Sequence, residues 1–399
     1  MSHGVPIDVA RARGETSGCR DLIHFNNAGA SLPTDATLRT QIEHLELEAR
    51  IGGYEAHAQE QGRIDGIYHS IATMLNAAPT EIALSTSNTA AFDLFLYSLP
   101  FAAGDRILTT QSEYGANYIA YLHIAEKTGA IVEVVPNNGA GEIDVEALEL
   151  MADERVKLIS INHIPTNGGL VNPAAEVGRI ARSHGITYLL DACQSAGQLP
   201  LDVEAIGCDA LTATGRKFMR GPRGTAFLYV RQSVLETMHP AMVDHDAAHW
   251  VDGSTYELKP DAQRFEVWEK GWAGLLGFGN AVDEALGWGL PSIEARVTEL
   301  ADSFRERLIE EVPGALVHDL GIKKCGIVTF SLGDRNLDKL KAELQARRIN
   351  VSVQPPGSAL LDTMARDLPP MIRASVHIFN THDEIDALIS ALLATSQPD

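Results

Sequence analysis

Two side chains far apart in the chain have the types to do chemistry together. Lys217 sits in "TATGRKFMRGPRGT" (212–225), on a bend between two apolar segments, and Asp191 closes the apolar run of "TYLLDACQ" (187–194). A lysine amine condenses with an aldehyde to a Schiff base, and a carboxylate keeps a pyridine nitrogen protonated so that the ring accepts electrons. That pair suits pyridoxal 5'-phosphate. Taken singly, Asp191 reads as a helix N-cap and Lys217 as a surface lysine. They lie 26 residues apart, room for one helix and one strand, so both can reach one ligand. "STSNTAAF" (85–92) adds hydroxyls and backbone amides at a helix start, where a phosphate is held.

The elements that must position these groups form a repeating pattern. Short apolar runs at 81–86, 106–110, 131–135, 157–162, 187–192, 209–214 and 225–230 read as seven strands, some separated by helices such as 173–185. Continuous apolar strands linked by helices indicate a mostly parallel sheet covered on both faces. The last two strands follow each other closely, so one of them runs antiparallel. Ligands in such sheets bind beyond the carboxyl ends of the strands. Ser87-Asn88-Thr89, Glu113-Tyr114, Asn162-His163, Asp191 with Gln194, and Thr214 to Lys217 all fall at those ends. After about residue 285 the pattern changes to a long helix (292–312), strands at 326–332 and 371–377, a helix at 337–348 and a last helix from about 382. We expect residues 1–50 to pack with a small α+β domain at 285–399, and 51–284 to form the large domain. Residues 37–50 read as an amphipathic helix with a solvated Glu-rich face.

Composition removes other classes. The 399 residues carry a net charge of −21, which disfavours nucleic acid and anionic membrane as partners. No apolar run is long enough to span a bilayer, and the first residues lack a signal-peptide shape. Cys19, Cys193, Cys208 and Cys325 are widely spaced, form no CxxC pair and suit a reducing cytoplasm. His245 and His249 in "DHDAAHW" have a spacing that binds metal on a helix but bring no third ligand, so we read a polar loop and expect no metal. "GLLGFGNA" (274–281) reads as helix packing. "RFEVWEKG" (264–271) reads equally as core plus surface or as a segment reaching a neighbouring subunit's cofactor phosphate.

The chain resembles the class V aminotransferase family of pyridoxal-phosphate enzymes, which includes cysteine desulfurases and C–S lyases. The likeness runs from "FNNAGASLP" (25–33) to "IRASVHIFNT" (372–381) and centres on residues 191–231. It implies the fold-type I transferase architecture, an α/β fold, and a cytoplasmic homodimer with shared active sites. It gives Lys217 the Schiff base, Asp191 the pyridine nitrogen and Gln194 the ring hydroxyl. Tyr114 stands where relatives stack a ring on the cofactor. Asn88, Thr89, Thr214 and Arg216 match the phosphate site. Arg373 matches the clamp on the substrate carboxylate, which a planar guanidinium suits. Ala28 and Asn167 are expected at the substrate, and Thr166 at the cofactor. "RIGGYEAHA" (50–58) resembles a segment of the hercynylcysteine sulfoxide lyases.

Three departures bear on the reaction. Thr166 replaces an Asn of many desulfurases, and Arg216 replaces a His. The desulfurase loop cysteine has no counterpart in "INVSVQPPGSALLD" (349–362). Cys193 and Cys325 read as buried structural thiols. The resemblance therefore leads to C–S β-elimination from an amino acid such as cystine or a cysteine sulfoxide, giving pyruvate, ammonia and a sulfur product. Transamination and epimerisation stay open as alternatives within the family, and desulfuration is the weaker one.

Overall fold

The computed structural model describes residues 5–394, so the outermost residues of both expected terminal segments, 1–4 and 395–399, lie outside it. A short helix α1 (Val9–Gly14) and strand β1 (Ile23–His24) lead into helices α2 (Asp35–Ile51) and α3 (Gly53–Leu75). The large sheet follows as β2 (Ile82–Ser85), β3 (Arg106–Thr110), β4 (Ile131–Val135), β5 (Val156–Asn162), β6 (Thr187–Asp191), β7 (Ala210–Thr214) and β8 (Ala226–Val230). All seven expected strands form, within a residue or two of their expected ends. Their spatial order is β2-β8-β7-β6-β5-β3-β4. Strand β8 is antiparallel to β7 and β2, and the other pairings are parallel. The helices between strands cover both faces, so β5 to β8 are buried almost throughout.

Helices α4 (Asn88–Leu96) and α5 (Gly115–Thr128) start on the edge of the site. Ser87 caps α4 by accepting from the Ala90 N–H at 3.1 Å. The later chain builds a second sheet, antiparallel throughout, from Ala315–Val317, Ile327–Leu332, Met371–Ser375 and Ser352–Gln354 in that order. The helix Leu290–Glu311 buries Ile293, Val297, Leu300, Phe304 and Leu308. Those side chains belong to one core cluster that runs on through β5, β6 and β7.

The first fifty residues touch both parts. Strand β1 pairs in parallel with Ile349–Asn350, and Arg13 bonds Phe379 O and Glu384. Helix α2 instead lies against α3 and the helix Trp272–Trp288, so the segment does not pack with the small sheet alone. Helix α2 forms as expected, with Glu43 and Glu46 exposed. It buries Thr37, Thr40, His44 and Leu47 and leaves Leu38, Ile42 and Leu45 exposed. The inner face is restricted because Gly277 closely approaches Gln41, where an added Cβ would lie 2.7 Å from the side chain.

Candidate active site

The register of the sheet brings the strand ends to one level. Asp191 pairs with Asn162 on β5 and with Thr212 on β7. Beyond that level the chain turns after β6 into "ACQSAG" and after β7 into the lysine bend. The two turns touch at Gly197, whose φ is +89°. A Cβ there would lie 2.4 Å from the Phe218 carbonyl carbon, so only glycine permits the approach. Arg220 closes the lysine bend with a φ of +61°, its N–H donating to Lys217 O at 2.9 Å. The buried Arg220 guanidinium donates to Leu32 O and Thr16 Oγ1, which holds this uncommon conformation in place. The bend thus anchors Lys217 on one side while its amine stays in the cleft.

Asp191 is buried and accepts three hydrogen bonds: from Asn88 Nδ2 at 3.2 Å, the Cys193 N–H at 2.8 Å and Asn117 Nδ2 at 2.8 Å. Burial raises its pKa, against the pull of Asn117, the Cys193 N–H and the Lys217 charge. A second carboxyl, Glu113, lies behind it. Glu113 accepts from Thr109 Oγ1, the Tyr114 N–H, Asn117 Nδ2 and Tyr121 OH. Burial first, and then the neighbouring Asp191, raise its pKa to about 7. The strand-end position of Glu113 was legible in the sequence. Asn117 was not singled out, although it stands four residues after Glu113 on the first turn of α5 and so shares its face.

Lys217 Nζ lies 3.3 Å from Cys193 Sγ. Cys193 is half-buried, so the expectation of a buried structural thiol is corrected: the turn after Asp191 presents it to the amine. Burial still pushes its pKa up despite Lys217. Cys325 is fully buried as expected, and burial pushes it to about 12.

The other expected residues fall as follows. Gln194 donates to Ala28 O at 3.2 Å, and the Ala28 N–H donates to Ser375 Oγ, so both backbone groups of Ala28 are engaged. Arg216 donates to Thr214 Oγ1 at 3.2 Å, joining two residues expected at the phosphate. Thr89 is exposed in the first turn of α4. The Asn88 side chain, in contrast, is turned to Asp191 rather than left for the phosphate. Tyr114 is partly exposed at the start of α5. Arg373 is buried and donates to Thr166 O at 2.9 Å and Thr166 Oγ1 at 3.2 Å. Burial lowers its pKa to about 10, which leaves it charged at neutral pH. Asn167 donates to Ser358 Oγ at 2.9 Å. Gly115 approaches Gly357 O, where an added Cβ would lie 3.1 Å away. The 349–362 segment therefore borders the cleft. His249 lies on a short strand (Ala248–Trp250) and His245 packs on Trp268 at 4.8 Å, so the two histidines do not share a helix face.

A polar ligand fits this cleft. Buried polar atoms around Asp191 and Arg373 lack partners: Asn88 Oδ1, Gln194 Oε1, Thr212 Oγ1, Asn167 Oδ1 and Arg373 Nε. Unpaired buried groups are costly unless a ligand or water satisfies them. Arg373 Nε and Thr212 Oγ1 can donate to anionic oxygens of a ligand, and the three amide oxygens can accept from its N–H or O–H groups.

The profile of the aminotransferase class-V family matches residues 23–388. The chain belongs to the class-V aminotransferase family. A probable cysteine desulfurase of Xylella fastidiosa (strain 9a5c) is 32% identical over 388 residues, covering 94% of this chain and 91% of that protein. The structure of a cysteine desulfurase from Thermococcus onnurineus NA1 superposes with a TM-score of 0.91 at 22% identity, covering 98% and 99% of the two chains. A cystine C–S lyase in complex with its product, cysteine persulfide, superposes with a TM-score of 0.85 at 22% identity over 95% and 99%. The fold is thus fold-type I, and the cofactor of this class-V enzyme is pyridoxal 5'-phosphate. Lys217, Asp191 and Gln194, with Thr214 and Arg216 toward the phosphate, are the residues expected to hold it.

Proposed function

We propose that the protein is a C–S β-lyase that cleaves an S-substituted cysteine, of the cystine or cysteine-sulfoxide type, to pyruvate, ammonia and a sulfur product. The bound cofactor supplies an electron sink for the substrate Cα. Arg373 clamps the α-carboxylate with its planar fork, and the Lys217 amine takes the proton from Cα. The electrons of that C–H bond form the Cα–Cβ double bond, the Cβ–S bond breaks, and sulfur departs with its electron pair. The released enamine hydrolyses to pyruvate and ammonia. Asp191 serves the pyridine nitrogen, Gln194 the ring hydroxyl, and Thr89, Thr214 and Arg216 the phosphate. Tyr114 covers the ring, and Thr166 holds Arg373 in place.

One observation carries the choice of elimination. The segment that borders the cleft offers Ser358, bonded to Asn167, and carries no thiol. Sulfur transfer as a persulfide needs an accessible thiolate. The names of the relatives, desulfurases and a cystine lyase, support a sulfur amino acid as substrate. A homodimer is supported by the exposed apolar stripe of Leu38, Ile42 and Leu45 on α2. A cytoplasmic location is supported by four free cysteines.

The deciding assay compares free cysteine, cystine, an S-alkyl cysteine and its sulfoxide by their products. Pyruvate and ammonia should form, and substrates whose sulfur leaves as a stabilised anion should outrun free cysteine. Alanine together with an enzyme-bound persulfide, lost on replacing Cys193 or Cys325, would overturn the proposal.

A further inference from the structure

Glu113 has no part in the chemistry described above, yet the site is built around it. It is 2% exposed, and every contact made to it is a donor. Oε2 receives Thr109 Oγ1 at 2.8 Å and Tyr121 OH at 3.3 Å. Oε1 receives the Tyr114 N–H at 2.7 Å and Asn117 Nδ2 at 3.0 Å, with Asn162 Nδ2 at 3.5 Å. The same Asn117 Nδ2 lies 2.8 Å from Asp191 Oδ2. One amide group thus bridges two buried carboxyls. A set made only of donors is the surrounding of an ionised acceptor. No arginine, lysine or histidine forms an ion pair with Glu113 among the described residues.

The geometry points to Glu113 as a positioning residue that acts through Asn117 on Asp191, adding negative potential behind the carboxylate that serves the pyridine nitrogen. It also fixes the start of α5, since it takes both the Tyr114 N–H and the Asn117 amide. The titratable groups facing it are Asp191 from β6 and Tyr121 from α5. The neighbours on β3 and β5, Thr109, Ser160 and Asn162, do not titrate. Burial first, and then the like charge of Asp191, raise the pKa of Glu113. The inference rests on Asp191 facing the pyridine nitrogen, and is independent of which substrate is cleaved.

The test is a pH titration of the cofactor's visible absorbance in the holoenzyme, without substrate. A negative charge behind Asp191 favours the protonated cofactor, so removing it should lower the titration midpoint. Glu113→Gln is expected to move the midpoint down by about one pH unit, as one buried charge at such a separation does. Glu113→Asp keeps the charge but draws it back from Asn117, and should move the midpoint down by less. If Glu113→Gln does not fold, Glu113→Asp is read alone. A folded variant with an unchanged or raised midpoint, whatever its melting temperature, overturns the inference. Failure of the lyase assay leaves this titration standing. Failure of the Asp191 assignment shows separately, as wild-type turnover in Asp191→Asn.

Discussion

The stability of the apoprotein should carry a pH dependence written by Glu113. Its pKa in the fold stands at about 7 against an ordinary 4.5. A carboxyl with a raised folded pKa contributes stability that is fully present below its unfolded value. That stability is lost as pH rises through the folded value. The rise corresponds to about 3 kcal/mol, most of it falling between pH 5 and pH 8. Asp191 shifts in the same direction, so the two act together. The perturbation is Glu113→Gln, which cannot ionise. Its amide nitrogen must meet donors, so the variant is destabilised at every pH, by about 1–3 kcal/mol. The informative quantity is therefore the slope and not the level. Urea unfolding of wild type and variant between pH 4.5 and 8.5 measures it. Wild type should lose about 2–3 kcal/mol more than the variant over that span. Parallel curves would show that the Glu113 carboxyl keeps an ordinary pKa and would refute the reasoning.

Three further outcomes are expected. Borohydride reduction followed by peptide mapping should find the cofactor on Lys217; an adduct on another lysine would displace the assignment. Asp191→Asn should still carry the cofactor while kcat falls by several factors of ten, each worth about 1.4 kcal/mol of barrier; turnover near wild type would remove Asp191 from its role. Arg373→Lys keeps the charge but loses the planar fork, so KM should rise roughly ten- to hundredfold with the cofactor absorbance unchanged. Equal turnover of amines lacking the carboxylate would count against the clamp.

The strands were legible because a buried parallel sheet writes itself as continuous apolar runs, and β3 and β4 appear with the ends expected from sequence. Polar residues at the ends of those runs then marked one edge of the sheet. Side-chain direction was less legible. Asn88 reads as part of a phosphate turn, yet its amide is spent on Asp191. Cys193 reads as a buried structural thiol, and only the approach of two turns at Gly197 shows that it meets Lys217. Helix α2 reads as an amphipathic helix with a solvated Glu-rich face, and periodicity did not show that it would leave Leu38, Ile42 and Leu45 exposed while burying Thr37, Thr40 and His44. Each of these depends on contacts across many residues, which periodicity along one element does not encode.

The contact between Cys193 and Lys217 bears on the proposal of elimination. A thiol that accepts sulfur must ionise and must move to the substrate. Cys193 does neither readily. Its N–H is bonded to Asp191 Oδ1 at 2.8 Å, so moving its backbone would strip a donor from the buried Asp191 carboxylate. Burial raises its pKa even beside an ammonium. Cys19, Cys208 and Cys325 are likewise pushed up by burial. Ser358 is tied to Asn167, and a hydroxyl does not carry sulfur as a persulfide. The residues proposed to act on the substrate are Arg373, to fix the carboxylate, and Lys217, to move the Cα proton. With those two groups and no thiolate, sulfur transfer to the enzyme lacks an acceptor, and departure of the sulfur with its electron pair is the outlet we propose ahead of reprotonation by Lys217. In the proposed elimination the sulfur group leaves unaided, which would favour disulfides and sulfoxides over a free thiol.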